Sequence, residues 1–354
     1  MVKKILLHSR VQFVLLIVCF YELIARNIFK RLDRESEVVF LFWPVTVRQY
    51  FDYFSRAYFL QDVTLIFALL KSHETLRVIR PRDLRSIAPK QIVYHSLNPF
   101  QKNKSESFKS QGELLFDYMK KFNIEFRPSA NEARLWENKL FMHEEFARLN
   151  IEQPSTQIVR NMEDINKLSL NFPLLCKIPN GNHSRGIDWH NDFKSLKLDA
   201  VSKLTYNEGV IIQEVIPSQF DIRVVTVGDK VEYFYWRFKE VSDRFTTTST
   251  SNGSVLNQDP LPIEVINTCL STSKKLNLSL AAYDVTFIKS DSIIKPVIYE
   301  VSSSFLLNPI PPIEYSSKPY LKYKSKIWNF TFERLKQFTV LKSKLIESYC
   351  NEKI

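Results

Sequence analysis

Two carboxylates stand in runs that ought to form buried strands. In "AAYDVTFIKSDSIIKPVIYEVSSS" (281–304), Asp284 and Glu300 interrupt two β-rich apolar segments separated by the turn-forming "KSDS". Hairpin residues pair when their numbers share a sum, and a sum of 584 sets Asp284 opposite Glu300, with Thr286 and Ser302 on the same face. Facing like charges need something positive between them, either a divalent cation with oxygen ligands or a clamp from Lys or Arg. A one-residue slip in register would instead turn one acid to solvent. The hairpin alone leaves these readings open.

Other stretches carry residues suited to anions. The apolar segment "FPLLCK" delivers Lys177 to the start of "PNGNHSRG", which holds Gly181 and Gly186, two of only six glycines. A lysine beside a glycine loop can hold phosphate, because backbone N–H groups approach closely where no Cβ intervenes. Neither the GK[ST] ending of a P-loop nor GxGxxG is present. Downstream, "GVIIQEVI" is a strand ending at Gln213-Glu214, and "IRVVTVGDKVEYFYWR" reads as a hairpin about Gly228-Asp229. Asp221 and Arg223 alternate with apolar residues and so share a face. The four cysteines (Cys19, Cys176, Cys269, Cys350) are far apart, the six histidines are scattered, and "HEEFA" at His143 is not a zinc-protease motif. Zinc is therefore disfavoured, metal chemistry would use oxygen ligands, and a reducing, cytoplasmic setting is expected.

In this order, the motifs resemble the ATP-grasp carboxylate ligases, most closely the branch of ribosomal-protein glutamate ligases and peptide-macrocyclising ligases. The resemblance spans about 131–310 and rests on Lys139 in "ENKLFM", Lys177 with its glycine loop, "IIQEVI…DIRVVTVGDKV" and the Asp284/Glu300 hairpin. It implies that ATP is held by Lys139, Lys177, Gly181, Gly186, the adenine-contacting hinge Gln213, Glu214, Val215 and Ile216, and Asp221. It also implies one or two Mg²⁺ ions, with Mn²⁺ as a substitute, on Asp284, Glu300 and Ser302. Arg223, Arg237 and Arg244 become the catalytic cations that steady acyl-phosphate oxygens. The implied reaction activates a carboxylate as an acyl phosphate and joins it to an amine or hydroxyl acceptor on a peptide, metabolite or glycan precursor. One departure is visible: the family's Glu-x-Asn reads Glu300-Val301-Ser302 here. A weakened ATP-binding regulator, or a membrane-surface adaptor of the same fold, is the alternative.

These residues need elements to position them. The fold class expected is α/β and α+β, an N-terminal open α/β domain followed by a two-lobed ATP-grasp fold. The boundaries read as a basic apolar segment at 1–35, the α/β domain at 36–130, lobes at 131–212 and 213–340, and a tail at 341–354. "EVVFLFW", "TLRVIRP" and "QIVYHSLNP" are short strands around helical spacing at Tyr50–Leu70, with "KNKSESFKSQGE" as a polar loop. A helix capped by Ser129 and Glu132 should run through Trp136 and Phe141.

The net charge of +11 is concentrated in residues 1–35 and 318–344. A nucleic-acid binder would be basic more evenly. Solvated helix faces are the first reading, with peripheral contact to an anionic membrane through both stretches as another; homo-oligomerisation is left open. "VQFVLLIVCFYELIA" (11–25) falls short of the roughly 20 apolar residues that span a bilayer and is read first as packing on the body, second as lying on a membrane.

Overall fold

The computed structural model describes residues 2–42, 53–54, 58–87, 92–96, 117, 120–180, 186–239, 248, 250, 253–290 and 293–351. In chain order it contains α1 (Val2–Ala25), β1 (Val39–Leu41), α2 (Phe59–Ser72), β2 (Arg77–Ile79), β3 (Ile92–Tyr94) and β4 (Glu125–Arg127). There follow α3 (Ala130–Glu137), α4 (Lys139–Arg148), β5 (Thr156–Val159), α5 (Met162–Asn166), β6 (Leu174–Lys177), β7 (Ile187–His190), α6 (Phe193–Leu204) and β8 (Val210–Glu214). The rest is β9 (Phe220–Val227), β10 (Lys230–Phe238), β11 (Val255–Asn257), α7 (Ile263–Leu276), β12 (Leu280–Ser290), β13 (Ile293–Ser302), α8 (Tyr320–Lys324) and α9 (Ile327–Asn351). The chain divides into two units, Met1–Ala133 with Ser304–Ile310 and Lys322–Ile354, and Arg134–Ser303 with Pro311–Leu321.

The first unit holds a parallel sheet of order β2-β1-β3-β4, whose central strand β1 is buried throughout. Helices α1, α2 and α9 pack on one another. The α1 helix buries Val11, Leu15, Val18 and Cys19, spaced at one face of a helix, so the N-terminal segment does pack on the body. A boundary at 340 falls inside α9, because its buried stripe continues through Phe338, Leu341, Leu345 and Tyr349. Nor is 318–344 one basic surface. Arg334 is buried and its Nε donates to the Leu307 carbonyl at 2.6 Å. Lys342 is buried too, and burial pushes its ammonium down to about 8 against the pull of Asp62 and Glu132. The "KNKSESFKSQGE" loop lies outside the described residues.

The second unit contains two antiparallel sheets, β5-β8-β6-β7 and β11-β10-β9-β12-β13. In the first, Leu174, Cys176 and Ile212 pack against Leu196 and Ala200 of α6. In the second, Ile222, Val224, Tyr283 and Val285 pack against Val265, Cys269 and Leu276 of α7, joined by Met142 and Phe146 of α4. The lobe boundary read at 212/213 falls inside β8, which pairs with β5 through Gln213 and with β6 through Glu214.

The cap at Ser129 forms as expected: its N–H donates to Glu132 Oε2 at 2.7 Å and its Oγ accepts from the Glu132 N–H at 3.3 Å. The helix stops sooner than expected. Asn138 adopts an extended conformation and its Oδ1 accepts from the N–H groups of Leu140 (2.9 Å) and Phe141 (3.3 Å), starting α4 afresh. Lys139 is thereby fixed as the first residue of a helix.

Candidate active site

Bulges in two hairpins set the register of this site. Near its turn, the β12–β13 hairpin pairs Ser290 with Ile293 and Val285 with Ile298, a register that would carry Asp284 to Tyr299. A bulge between Asp284 and Val285 shifts it by one, so that Asp284 lies opposite Glu300 and Ala282 opposite Ser302. The β9–β10 hairpin starts from Val227 opposite Lys230, with Gly228 at φ 55° in the turn. That register would carry Asp221 to Trp236, but a bulge between Val231 and Tyr233 brings it to Arg237. Strand β12 in turn places Asp284 opposite Arg223 of β9. Arg237, Asp221, Arg223, Asp284 and Glu300 thus gather across four adjacent strands.

Each of the two facing acids is paired with its own protein cations. Arg237 donates from Nε to Asp221 Oδ1 at 2.6 Å and from Nη2 to Asp221 Oδ2 at 2.5 Å and Asp284 Oδ1 at 2.6 Å. Thr248 Oγ1 donates to Asp221 Oδ2 at 2.5 Å. Arg223 Nε is 3.0 Å from Asp284 Oδ1 but outside hydrogen-bonding geometry, leaving a buried donor without an acceptor among the described residues. Glu300 accepts a hydrogen bond from Lys139 Nζ. Lys177 donates to the Gln213 side-chain carbonyl, and the Gln213 amide donates to Thr156 Oγ1 at 2.9 Å.

Burial sets the electrostatics. It pushes the Asp221 carboxyl up, Arg237 pulls it down, and Asp284 pushes it up again. For Lys177, burial first and the Lys139 ammonium second bring the pKa down to about 7, with Glu300 opposing. Four cationic side chains, Lys139, Lys177, Arg223 and Arg237, accompany three carboxylates, Asp221, Asp284 and Glu300. The balance favours an anion, most strongly when Lys177 is protonated.

The remaining expected residues are placed as follows. Gly186 has φ +72°, a dihedral that favours glycine, and a Cβ there would lie 2.4 Å from Ile178 Cδ1, so that side chain would have to shift. The Lys139 N–H donates to the Pro179 carbonyl at 3.1 Å, tying α4 to the start of the glycine segment. In the hinge, the Glu214 N–H donates to Ser155 and the Val215 N–H to Pro173, while the Glu214 carboxylate accepts from the Asn171 N–H at 2.8 Å. The Ile216 carbonyl accepts from the Ser218 N–H at 2.8 Å. Ser302 is half-buried beyond Glu300 on the same strand. Gly181 and Arg244 lie outside the described residues. Sequence reasoning missed Thr248 and Tyr299; the latter is brought to Asp221 and Thr286 by the β13 bulge. Tyr299 is the extra residue of that bulge, Thr248 reaches Asp221 across 27 residues, and no local sequence signal marks either.

The donor set fits magnesium. Asp284, Glu300 and Ser302 present hard oxygens only, and no group of three or more His, Cys, Asp or Glu forms a ready cage among the described residues. Mg²⁺ commonly takes one or two carboxylates and fills its shell with water and phosphate oxygens.

No family model and no curated protein matches the sequence. Solved structures do match. D-alanine–D-alanine ligase from Bacillus anthracis covers 88% of this chain and 98% of its own at 13% identity and a TM-score of 0.53. The same ligase complexed with ATP gives 14% identity and 0.51 over the same shares. The ATP-grasp ligase PsnB, complexed with a phosphomimetic variant of its minimal precursor, Mg and ADP, covers 86% of this chain and 100% of its own at 12% identity and 0.51. Likeness of this breadth at such low identity is a likeness of fold, and the chain has the ATP-grasp fold.

Proposed function

We propose that this protein is an ATP- and Mg²⁺-dependent ligase that activates a carboxylate as an acyl phosphate and joins it to an amine or hydroxyl acceptor. The observation that carries the reading is the bulge-set juxtaposition of Asp284 and Glu300, with Lys139, Arg223 and Arg237 paired to these acids and Lys177, from the other sheet, near enough to feel Lys139 and Glu300. Two facing acids framed by cations suit a metal–polyphosphate complex, in which charges of both signs must be matched. The ATP bound by the Bacillus anthracis ligase and the Mg and ADP bound by PsnB agree with it.

In this reading Asp284, Glu300 and Ser302 hold the metal. Bound Mg²⁺ neutralises phosphate charge. Lys139 and Lys177 leave their internal partners, Glu300 and Gln213, for phosphate oxygens. Arg223, with its unused Nε donor, and Arg237, held by Asp221, steady the oxygens of the activated carboxylate. Gly186 admits backbone to the phosphates and Gln213–Ile216 borders the adenine. Arg244 and Gly181 are assigned to the same site. The acceptor amine or hydroxyl then displaces phosphate. Peptides, small metabolites and glycan precursors are the acceptor classes to screen, and the setting is cytoplasmic.

The test is product analysis with ATP, Mg²⁺ and pooled carboxylates and amines. ADP and phosphate, accompanied by a mass gain in one acceptor, are expected. Release of AMP and pyrophosphate would mean adenylate chemistry and would overturn the acyl-phosphate reading. Ser302→Asn, which adds an amide carbonyl, is expected to lower the Mg²⁺ concentration needed for half-maximal turnover. An unchanged requirement would remove Ser302 from the metal's surroundings.

A further inference from the structure

The α1 helix is apolar on two opposite stripes, and only one is covered. Val11, Leu15, Val18 and Cys19 are buried where α1 packs on α2 and α9. Around the helix, Phe13 (64% exposed), Ile17, Phe20 (58%), Tyr21 and Ile24 form a second stripe at spacings of three and four that faces solvent. Phe29, in the 3-10 turn Ile28–Arg31, extends it at 57% exposure. A monomer gains nothing from displaying a row of large aromatics, and such patches mark interaction surfaces.

The charges around the stripe identify the occupant. Arg10 and Lys30 are exposed at its two ends, and residues 1–32 contain six Lys or Arg against the single acid Glu22. Glu22 is already paired with Arg26 at 2.8 Å. A second copy of this chain laid on the stripe would bring two such positive segments together, whereas anionic lipid headgroups meet cations at both ends and acyl chains in the middle. From Arg10 to Ile24 the stripe runs about 21 Å along the helix axis. Among the described residues no helix is long and apolar enough to cross a membrane, so the helix lies along the surface. We infer that α1 docks the protein on an anionic bilayer surface through its exposed aromatic stripe while its opposite face stays packed on the first unit.

The test uses the full chain and phosphatidylcholine vesicles with and without phosphatidylglycerol. Co-sedimentation is expected with the anionic vesicles, to fall at least tenfold without phosphatidylglycerol, and to weaken as salt rises. The variant Phe13→Ser/Phe20→Ser/Tyr21→Ser should lose at least tenfold in binding while melting as the wild type does, since none of the three is buried. Absence of binding to anionic vesicles, or wild-type binding by the triple variant, would overturn the inference. So would a dimer in sedimentation equilibrium that the triple variant dissolves, with no vesicle binding by either protein.

Discussion

Replacing Arg237 with Met should be the most damaging single change at the candidate site, and the structure says by how much. The Arg237 and Asp221 side chains are only 7% and 6% exposed, so solvent screens their interaction little. Removing the guanidinium strands Asp221 among buried groups and leaves Asp284 with Arg223 alone. Breaking a buried pair by deleting one partner costs ~3–5 kcal/mol, which corresponds to a fall in melting temperature on the order of 10 °C. Charge balance then predicts a rescue. In Arg237→Met/Asp221→Asn the remaining pair, Asp284 and Arg223, is neutral overall, so the double variant should be more stable than Arg237→Met alone. Because burial raises the Asp221 pKa, acidification should also narrow the deficit of the single variant as that carboxyl takes up a proton. Urea unfolding of the four proteins of the cycle, at constant m, measures the coupling. Turnover should be lost in both Arg237 variants, whatever their stability. Additive single-variant costs, within about 0.5 kcal/mol, would refute the claim that these residues form one charge-balanced cluster.

Asp284→Asn should abolish turnover and destabilise the protein by ~1–3 kcal/mol, because the acid is held by two guanidiniums rather than repelled by Glu300. A stabilised variant would restore the simpler idea of unrelieved carboxylate repulsion. Gly186→Ala should cost about 1–2 kcal/mol from its positive φ alone, with the collision at Ile178 adding to it; an unchanged melting curve would contradict the geometry. Burial, foremost, pushes His143 down to about 3, with Lys177 adding to it, so this ring is neutral when folded and protonated when unfolded between pH 3 and about 6.5. Stability should therefore fall as pH drops through that window, and His143→Gln should reduce the slope by about one proton. Equal slopes in the two proteins would count against a buried neutral His143.

Short-range features of this chain are written in its sequence. The capping pair Ser129 and Glu132, the Gly228-Asp229 turn, and Lys177 at the end of an apolar strand each depend on residues within a few positions. Sequence pattern alone marked three of the four parallel strands of the first unit, missing Glu125–Arg127, and an apolar N-terminal helix. The facing of Asp284 and Glu300 was legible as one register among two, and a bulge that no local pattern announces selects it.

What the sequence could not decide is which groups neutralise those acids. Lys139 reaches Glu300 across 161 residues and Arg237 reaches Asp284 across 47, through a strand order in which β9 lies between β10 and β12. Alternation tells which face a side chain takes; only sheet order and bulges tell which neighbour it meets. The α1 helix shows the same division. Its sequence is apolar on two opposite stripes, and only packing on α2 and α9 determines which becomes core and which remains open to solvent. Local hydrogen bonding and hydrophobic periodicity are properties of short segments, whereas partner choice between charges is made by the assembled sheet.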